Sequence, residues 1–213
     1  MQRMGSRLRF ALLAVLPLVV SVPAAFGANI VLNPGFETGD FTDWGNNGWF
    51  VDTSGGLNPN GPFAGSYFAS TGCVGTTCIT NDVGAQSPQG AWIYQDLATT
   101  ASTAYTLSFE FSSDGTPMEL QVLWDGNVAL DLTGLAAGPY NLYTVGGLVA
   151  TSSTTRLEFL GRQDPGYNAV EGVCVSTSTD CSTASAVPEP VSFALTGFGL
   201  AALGLARFRR RAS

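Results

Sequence analysis

The sequence predicts an all-β protein, an antiparallel β-sandwich, on three observations. Short runs rich in β-branched and aromatic residues follow one another through the body of the chain, separated by Gly, Pro, Asn and Asp. Two of these runs alternate apolar and polar residues with period two. No stretch of the body sustains a helical period.

The expected strands, in order, are NIVL at 29–32, GWFVDT at 48–53, SYFAS at 66–70 and AWIYQDLAT at 91–99. They continue with AYTLSFEFSS at 104–113, MELQVLWD at 118–125, NVALDL at 127–132 and YNLYTVGGLVA at 140–150. TRLEFLGR at 155–162 and AVEGVCVS at 169–176 complete the set. In AYTLSFEFSS, Tyr105, Leu107, Phe109 and Phe111 share one face, and Thr106, Ser108 and Glu110 share the other. In TRLEFLGR, Leu157 and Phe159 oppose Arg156 and Glu158. Such alternation suits a strand with one face in a core and the other in water. Asp125-Gly126, between two of the runs, is a hairpin signal because both residues tolerate positive φ.

The 213 residues carry nine basic residues, all arginine, and no histidine. Seven of the arginines stand at the two ends. From Ala28 to Val187 only Arg156 and Arg162 face fifteen carboxylates. A surface of that sign repels phosphate backbones, which excludes nucleic acid as a partner. It suits an extracellular protein or one that gathers divalent cations. Without histidine there is no Ser-His-Asp or Cys-His system, and no Gly-rich phosphate loop is present, so the reading is a non-enzyme. Paired carboxylates acting on a glycoside remain the catalytic alternative.

The ends read as targeting segments. Arg3, Arg7 and Arg9 precede the apolar run FALLAVLPLVV, with Ala25 and Gly27 at the −3 and −1 positions of a cleavage site. Residues 1–27 are therefore a signal peptide, passed through the secretion translocon, and residues 28–176 the sandwich domain. A Ser/Thr-rich linker covers 177–187. Next come Pro188-Glu189-Pro190, an apolar run at 191–206, and Arg207, Arg209, Arg210 and Arg211. Sixteen residues of helix span about 24 Å, short of a hydrocarbon core of about 30 Å unless the end arginine snorkels. The arginines should stay cytoplasmic and leave the acidic body outside.

Four cysteines stand in two local pairs, Cys73 with Cys78 and Cys174 with Cys181. Three connectivities are open on sequence alone. Close spacing and export favour two local disulfides, and the absence of histidine disfavours zinc.

The ending VPEPVSFALTGFGLAALGLARFRRR resembles the PEP-CTERM sorting signal of Gram-negative bacteria, with its Pro-Glu-Pro box, small-residue helix and arginine cluster. The resemblance implies recognition by an exosortase, processing near Pro188, Glu189 and Pro190, and a role at the cell envelope, cell surface or exopolysaccharide matrix (biofilm). LNPGFETGDFTDW, WIYQDLATTASTAYTLSFEF and GRQDPGYNAVEGVCV resemble exported proteins with a galactose-binding-like jelly roll, a fold shared with many carbohydrate-binding modules. In several such modules, acids of the first loop and last strand hold structural Ca²⁺. The matching positions are Glu37 and Glu171, but where the pattern carries a second acid this chain has Gly172. No other cofactor is implied.

Carbohydrate contact would need an aromatic face for the C–H face of a pyranose, with carboxylates and amides for its hydroxyls. Trp92 and Tyr94 on one strand and Trp124 on another are candidates, against the commoner fate of core packing. Trp44, Trp49, Tyr140 and Tyr143 belong to the same pool. Arg162 and Asp164 form the most suggestive polar pair, which binds a ligand or fixes the Asp-Pro-Gly turn. The expectation is a non-catalytic exported protein that associates with extracellular polysaccharide. A glycan-processing enzyme and a purely structural adhesin are the alternatives.

Overall fold

The computed structural model describes residues 27–79 and 90–178. The signal peptide, Cys181, the linker beyond residue 178, the Pro-Glu-Pro box, the 191–206 helix and the arginine cluster lie outside the described residues. Among the described residues, ten strands form two five-stranded antiparallel sheets. They are β1 (Gly45–Asn47), β2 (Phe50–Thr53), β3 (Tyr67–Thr71), β4 (Trp92–Ala98) and β5 (Ala104–Ser113), then β6 (Met118–Trp124), β7 (Asn127–Thr133), β8 (Gly138–Val149), β9 (Thr154–Gln163) and β10 (Asn168–Ser176). The first sheet has the order β1-β4-β9-β6-β7, and the second β2-β3-β10-β5-β8.

Alternation decides what lies between the sheets. Leu107, Phe109 and Phe111 of β5 meet Ile93 and Leu97 of β4, Leu157 and Phe159 of β9, and Leu120 and Val122 of β6 in one buried layer. Phe109 meets Phe159 edge-on at 5.1 Å and stacks on Tyr143 at 5.7 Å. Trp44 plugs one end against Phe36 and Phe159, its indole N–H donating to the carbonyls of Leu32 and Asn33. The Asp125-Gly126 turn joins β6 to β7 with both residues at positive φ, as the hairpin signal requires.

Three expectations need correction. NIVL is not a strand. Ile30 makes one ladder bond to the Val175 carbonyl, but the Asn29 side chain takes the neighbouring positions, accepting from the Val175 amide and donating to the Val173 carbonyl. A side chain that substitutes for backbone ends the ladder there. β1 arises instead from Gly-Asn-Asn, a sequence with no β propensity. It forms because Gly45 lies against the Tyr94 ring, and a Cβ there would stand 2.3 Å from a ring carbon. Last, the outer face of β5 is not open water. Thr106, Ser108 and Ser112 are buried. Residues 54–66 cross this side of the sheet, where the Phe63 amide binds Glu171 and the Gly61 carbonyl accepts from Tyr140.

Cys73 and Cys78 are joined as expected. Cys174, on β10, is also disulfide-bonded.

Phe159 is fully buried where both sheets meet. Phe159→Ala should lower unfolding stability by about 3–5 kcal/mol, the cost of an unfilled aromatic site. Denaturant titration monitored by tryptophan fluorescence checks this, with an unchanged m-value expected.

Candidate functional site

The cross-strand register sets out the outer face of the first sheet as a grid. Trp92, Leu160, Gln121 and Asp131 form one row across β4, β9, β6 and β7. Tyr94, Glu158, Leu123 and Val128 form the next. Arg162, Glu119 and Thr133 flank the first row, and Asp96 with Arg156 flanks the second.

The apolar part of this face is partly closed. Trp92, Leu123 and Leu160 make a small cluster, with Ile79 and Tyr94 packed against it. Tyr94 remains half-buried. The Arg156 guanidinium lies 3.9 Å from the centre of its ring while binding both oxygens of Asp96 at 2.8 and 2.9 Å. Beyond Tyr94, towards the β1 edge, Asp43, Trp44, Gly45 and Asp96 border an open depression. Sequence had placed Trp92 and Tyr94 together on one strand face, and the structure does the same.

Acids dominate the rest. Burial raises the Glu158 pKa, partly offset by the charge of Arg156. Burial and the nearby charge of Asp131 raise that of Glu119, with the Gln121 bond and the charge of Arg162 pulling the other way. Sequence reasoning passed over Glu119, Gln121 and Asp131. The signal that could have found them is the alternation of β6, which sets Glu119 and Gln121 opposite Leu120 and Val122.

Trp124 does not belong to this face. It is 5% exposed, packs on Tyr105 and donates its indole N–H to the Val149 carbonyl. The alternation of β6 turns it into the core with Leu120 and Val122, so it is withdrawn from the ligand-facing set. Arg162 and Asp164 are brought together, with the guanidinium donating to Asp164 Oδ2 from Nε at 2.8 Å and from Nη2 at 2.5 Å. Asp164 Oδ1 accepts from the Gly75 amide at 2.9 Å, so the pair ties the disulfide loop to the turn after β9.

On the other sheet, Glu37 and Glu171 converge on one segment. Glu171, 2% exposed, accepts from the amides of Phe63 at 2.5 Å and Ala64 at 2.8 Å. Glu37 accepts from the amides of Ser66 and Tyr67 at 3.0–3.1 Å. Gly65 permits this approach: its φ is +74°, in the region that favours glycine, and a Cβ there would lie 2.3 Å from Glu37 Oε1. Opposite Glu171 stands Glu110 of β5, and a Cβ on Gly172 would lie 3.7 Å from Glu110 Cγ. The acid missing at position 172 thus has a counterpart on the neighbouring strand. Among the described residues no three acidic, cysteine or histidine side chains gather closely enough to hold a metal. Calcium at Glu37 and Glu171 would need loop carbonyls to complete its shell. Asp40 is a turn former, its pKa lowered by bonds from Thr42 and Thr38.

Burial, opposed by the bonds from Ala64 and Phe63 and reinforced by Glu37 and Glu110, pushes Glu171 up to about 7. Its protonated form is favoured by folding, so its contribution is complete below about pH 4.5 and is lost as pH rises through 7. That contribution is on the order of 3 kcal/mol. Melting in the presence of chelator should therefore fall from pH 4.5 to 7.5, and Glu171→Gln should flatten much of the fall.

No protein-family model matches the chain, and no curated protein matches it in sequence. Solved structures do. A carbohydrate-binding module, TmCBM61, solved in complex with β-1,4-galactotriose, superposes with a TM-score of 0.52 at 13% identity, over 69% of this chain and 97% of that one. The K1 cleaved adhesin domain of Lys-gingipain from Porphyromonas gingivalis W83 gives 0.48 at 15% identity, over 68% and 96%. The CBM22-1 xylan-binding domain of Paenibacillus barcinonensis Xyn10C gives 0.45 at 13%, over 70% and 94%. The fold is an all-β antiparallel two-sheet sandwich that resembles the jelly roll of a carbohydrate-binding module.

Proposed function

We propose that the chain is a non-catalytic, exported protein whose sandwich binds extracellular polysaccharide on the outer face of the first sheet. The observation that carries this reading is the face itself, where Tyr94 shares one rigid sheet with the carboxylates of Glu158, Glu119 and Asp131 and the amide of Gln121. An aromatic ring takes the apolar side of a pyranose, and the acids and the Gln121 amide take its hydroxyls. The likeness in fold supports a surface of this kind without naming the sugar. The sorting-signal resemblance supports export, exosortase handling and residence in the envelope or exopolysaccharide matrix of a Gram-negative bacterium.

A glycan array probed with the protein tests the reading. Retention without new reducing ends is the expected result, and Tyr94→Ala should weaken it about tenfold, the size of one aromatic contact. New reducing ends would favour a glycan-cleaving enzyme instead. No retention on any glycan would leave the structural adhesin.

Structural Ca²⁺ at Glu37 and Glu171 forms part of the same proposal. The two carboxylates repel one another across one segment, and a divalent ion would offset that repulsion. Millimolar Ca²⁺ should raise the melting temperature by more than Mg²⁺ does, and Glu37→Gln should remove most of the rise. Equal melting in chelator, Ca²⁺ and Mg²⁺ would assign both carboxylates to holding backbone amides alone.

A further inference from the structure

The outer face of the first sheet carries charge that its own cations leave unmatched. Arg156 is bound to Asp96 and Arg162 to Asp164, and among the described residues neither guanidinium hydrogen-bonds Glu119, Asp131 or Glu158. Between Glu119 and Asp131 lies the Gln121 amide. Its Nε2 donates to Glu119 Oε1 at 3.0 Å and to Asp131 Oδ2 at 3.3 Å. An amide nitrogen stands where two carboxylates would draw a cation.

The arrangement leaves a debt on the same side chain. Gln121 is 6% exposed, and its Oε1 is buried with no hydrogen-bond partner. A buried amide oxygen without a partner is costly. Turning the amide over would set that oxygen against two carboxylates, which is worse. Neither orientation satisfies all three side chains until a multi-donor cation arrives and frees the amide to turn its oxygen towards a donor.

Geometry selects the kind of cation. The two carboxylates already hold an amide nitrogen at 3.0 and 3.3 Å, a place an ammonium nitrogen can take, whereas two carboxylates and one amide oxygen fall short of the six to eight oxygens that Ca²⁺ takes. Asp131 is exposed and Glu119 half-buried, so the carboxylates are open to a ligand. In the same row, Leu160 lies one strand from Gln121, and adjacent strands are about 4.8 Å apart, close to the width of a pyranose.

We infer that Glu119, Gln121 and Asp131 form a subsite for the free amine of an amino sugar within a de-N-acetylated polysaccharide. The inference rests on the carbohydrate-binding reading above and names its substrate class. A uronate would meet the like charge of Glu119 and Asp131 on either side of Gln121.

Calorimetry on the protein with glucosamine hexamer, N-acetylglucosamine hexamer and a galacturonate oligomer tests it. The glucosamine oligomer should bind at least about tenfold tighter than the acetylated one, as expected for one charge-assisted hydrogen bond or more, and the advantage should shrink with salt. Asp131→Asn, at an exposed position, and Glu119→Gln should each remove most of that advantage, with thermal melts confirming that the variants fold. Glu110→Gln, which removes one charge from the opposite sheet, should leave it intact. Equal affinity for the two hexamers would overturn the inference. So would an equal loss in Glu110→Gln, which would mean only a general attraction of a polycation to an acidic protein. Acetylated oligomer that binds, weakens with Tyr94→Ala and shows no amine advantage overturns the subsite alone. Failure of every oligomer to bind overturns the subsite, and the carbohydrate reading falls with it only if the glycan array also shows no retention.

Discussion

The apolar layer between the sheets is the constraint on which the remaining structure depends. Leu107, Phe109 and Phe111 can enter it only if β5 keeps its register, because a slip by one residue would exchange them for Thr106, Ser108 and Glu110. β10 and β8 are bound to β5 on its two sides, so the same register fixes Glu171 opposite Glu110 and Tyr143 over Phe109. β9 answers from the first sheet with Leu157 and Phe159, and by doing so turns Glu158 and Arg162 outward. The candidate ligand face is in this sense the reverse side of the core.

A second constraint comes from charge. With two arginines in the body, most carboxylates must find partners other than cations. The sequence solves this with backbone amides. Asp52 accepts from Thr53, Leu57 and Asn58, Asp114 from Tyr167, and Glu37 and Glu171 from the segment 63–67. Each acid pins a loop to a strand, which lets long irregular connections lie on the sandwich. Glu119 and Asp131 share one glutamine amide instead, and that departure from the pattern separates them from the loop-holding acids.

Much of the fold was legible in the residues. Nine of the ten expected runs became strands, because period-two alternation and turn residues act locally and leave a mark at each position. The Asp125-Gly126 hairpin, the Cys73–Cys78 loop and the neighbouring placement of Trp92 with Tyr94 follow from spacing of a few residues. NIVL misled because its composition is that of a strand, while the Asn29 side chain occupies the ladder. β1 was invisible because its cause is a ring on another strand, whereas Trp124 was misassigned although the alternation of β6 already sets it on the face of Leu120 and Val122.

Sequence by itself determined the strand-rich class, the acidic surface without histidine, and the local turns and disulfide loop. Each of these depends on residue type or on separations of a few positions. Tertiary structure alone decided that Glu37 and Glu171 share one segment, that Glu110 stands beside the position of the missing acid, and that Glu119 and Asp131 meet across Gln121. The first two groupings come from strands and loops distant in the chain, brought together by hydrogen-bond register and core burial, and the third depends on a register shift within the β6–β7 hairpin, between Val122 and Leu123, that sets Asp131 opposite Gln121.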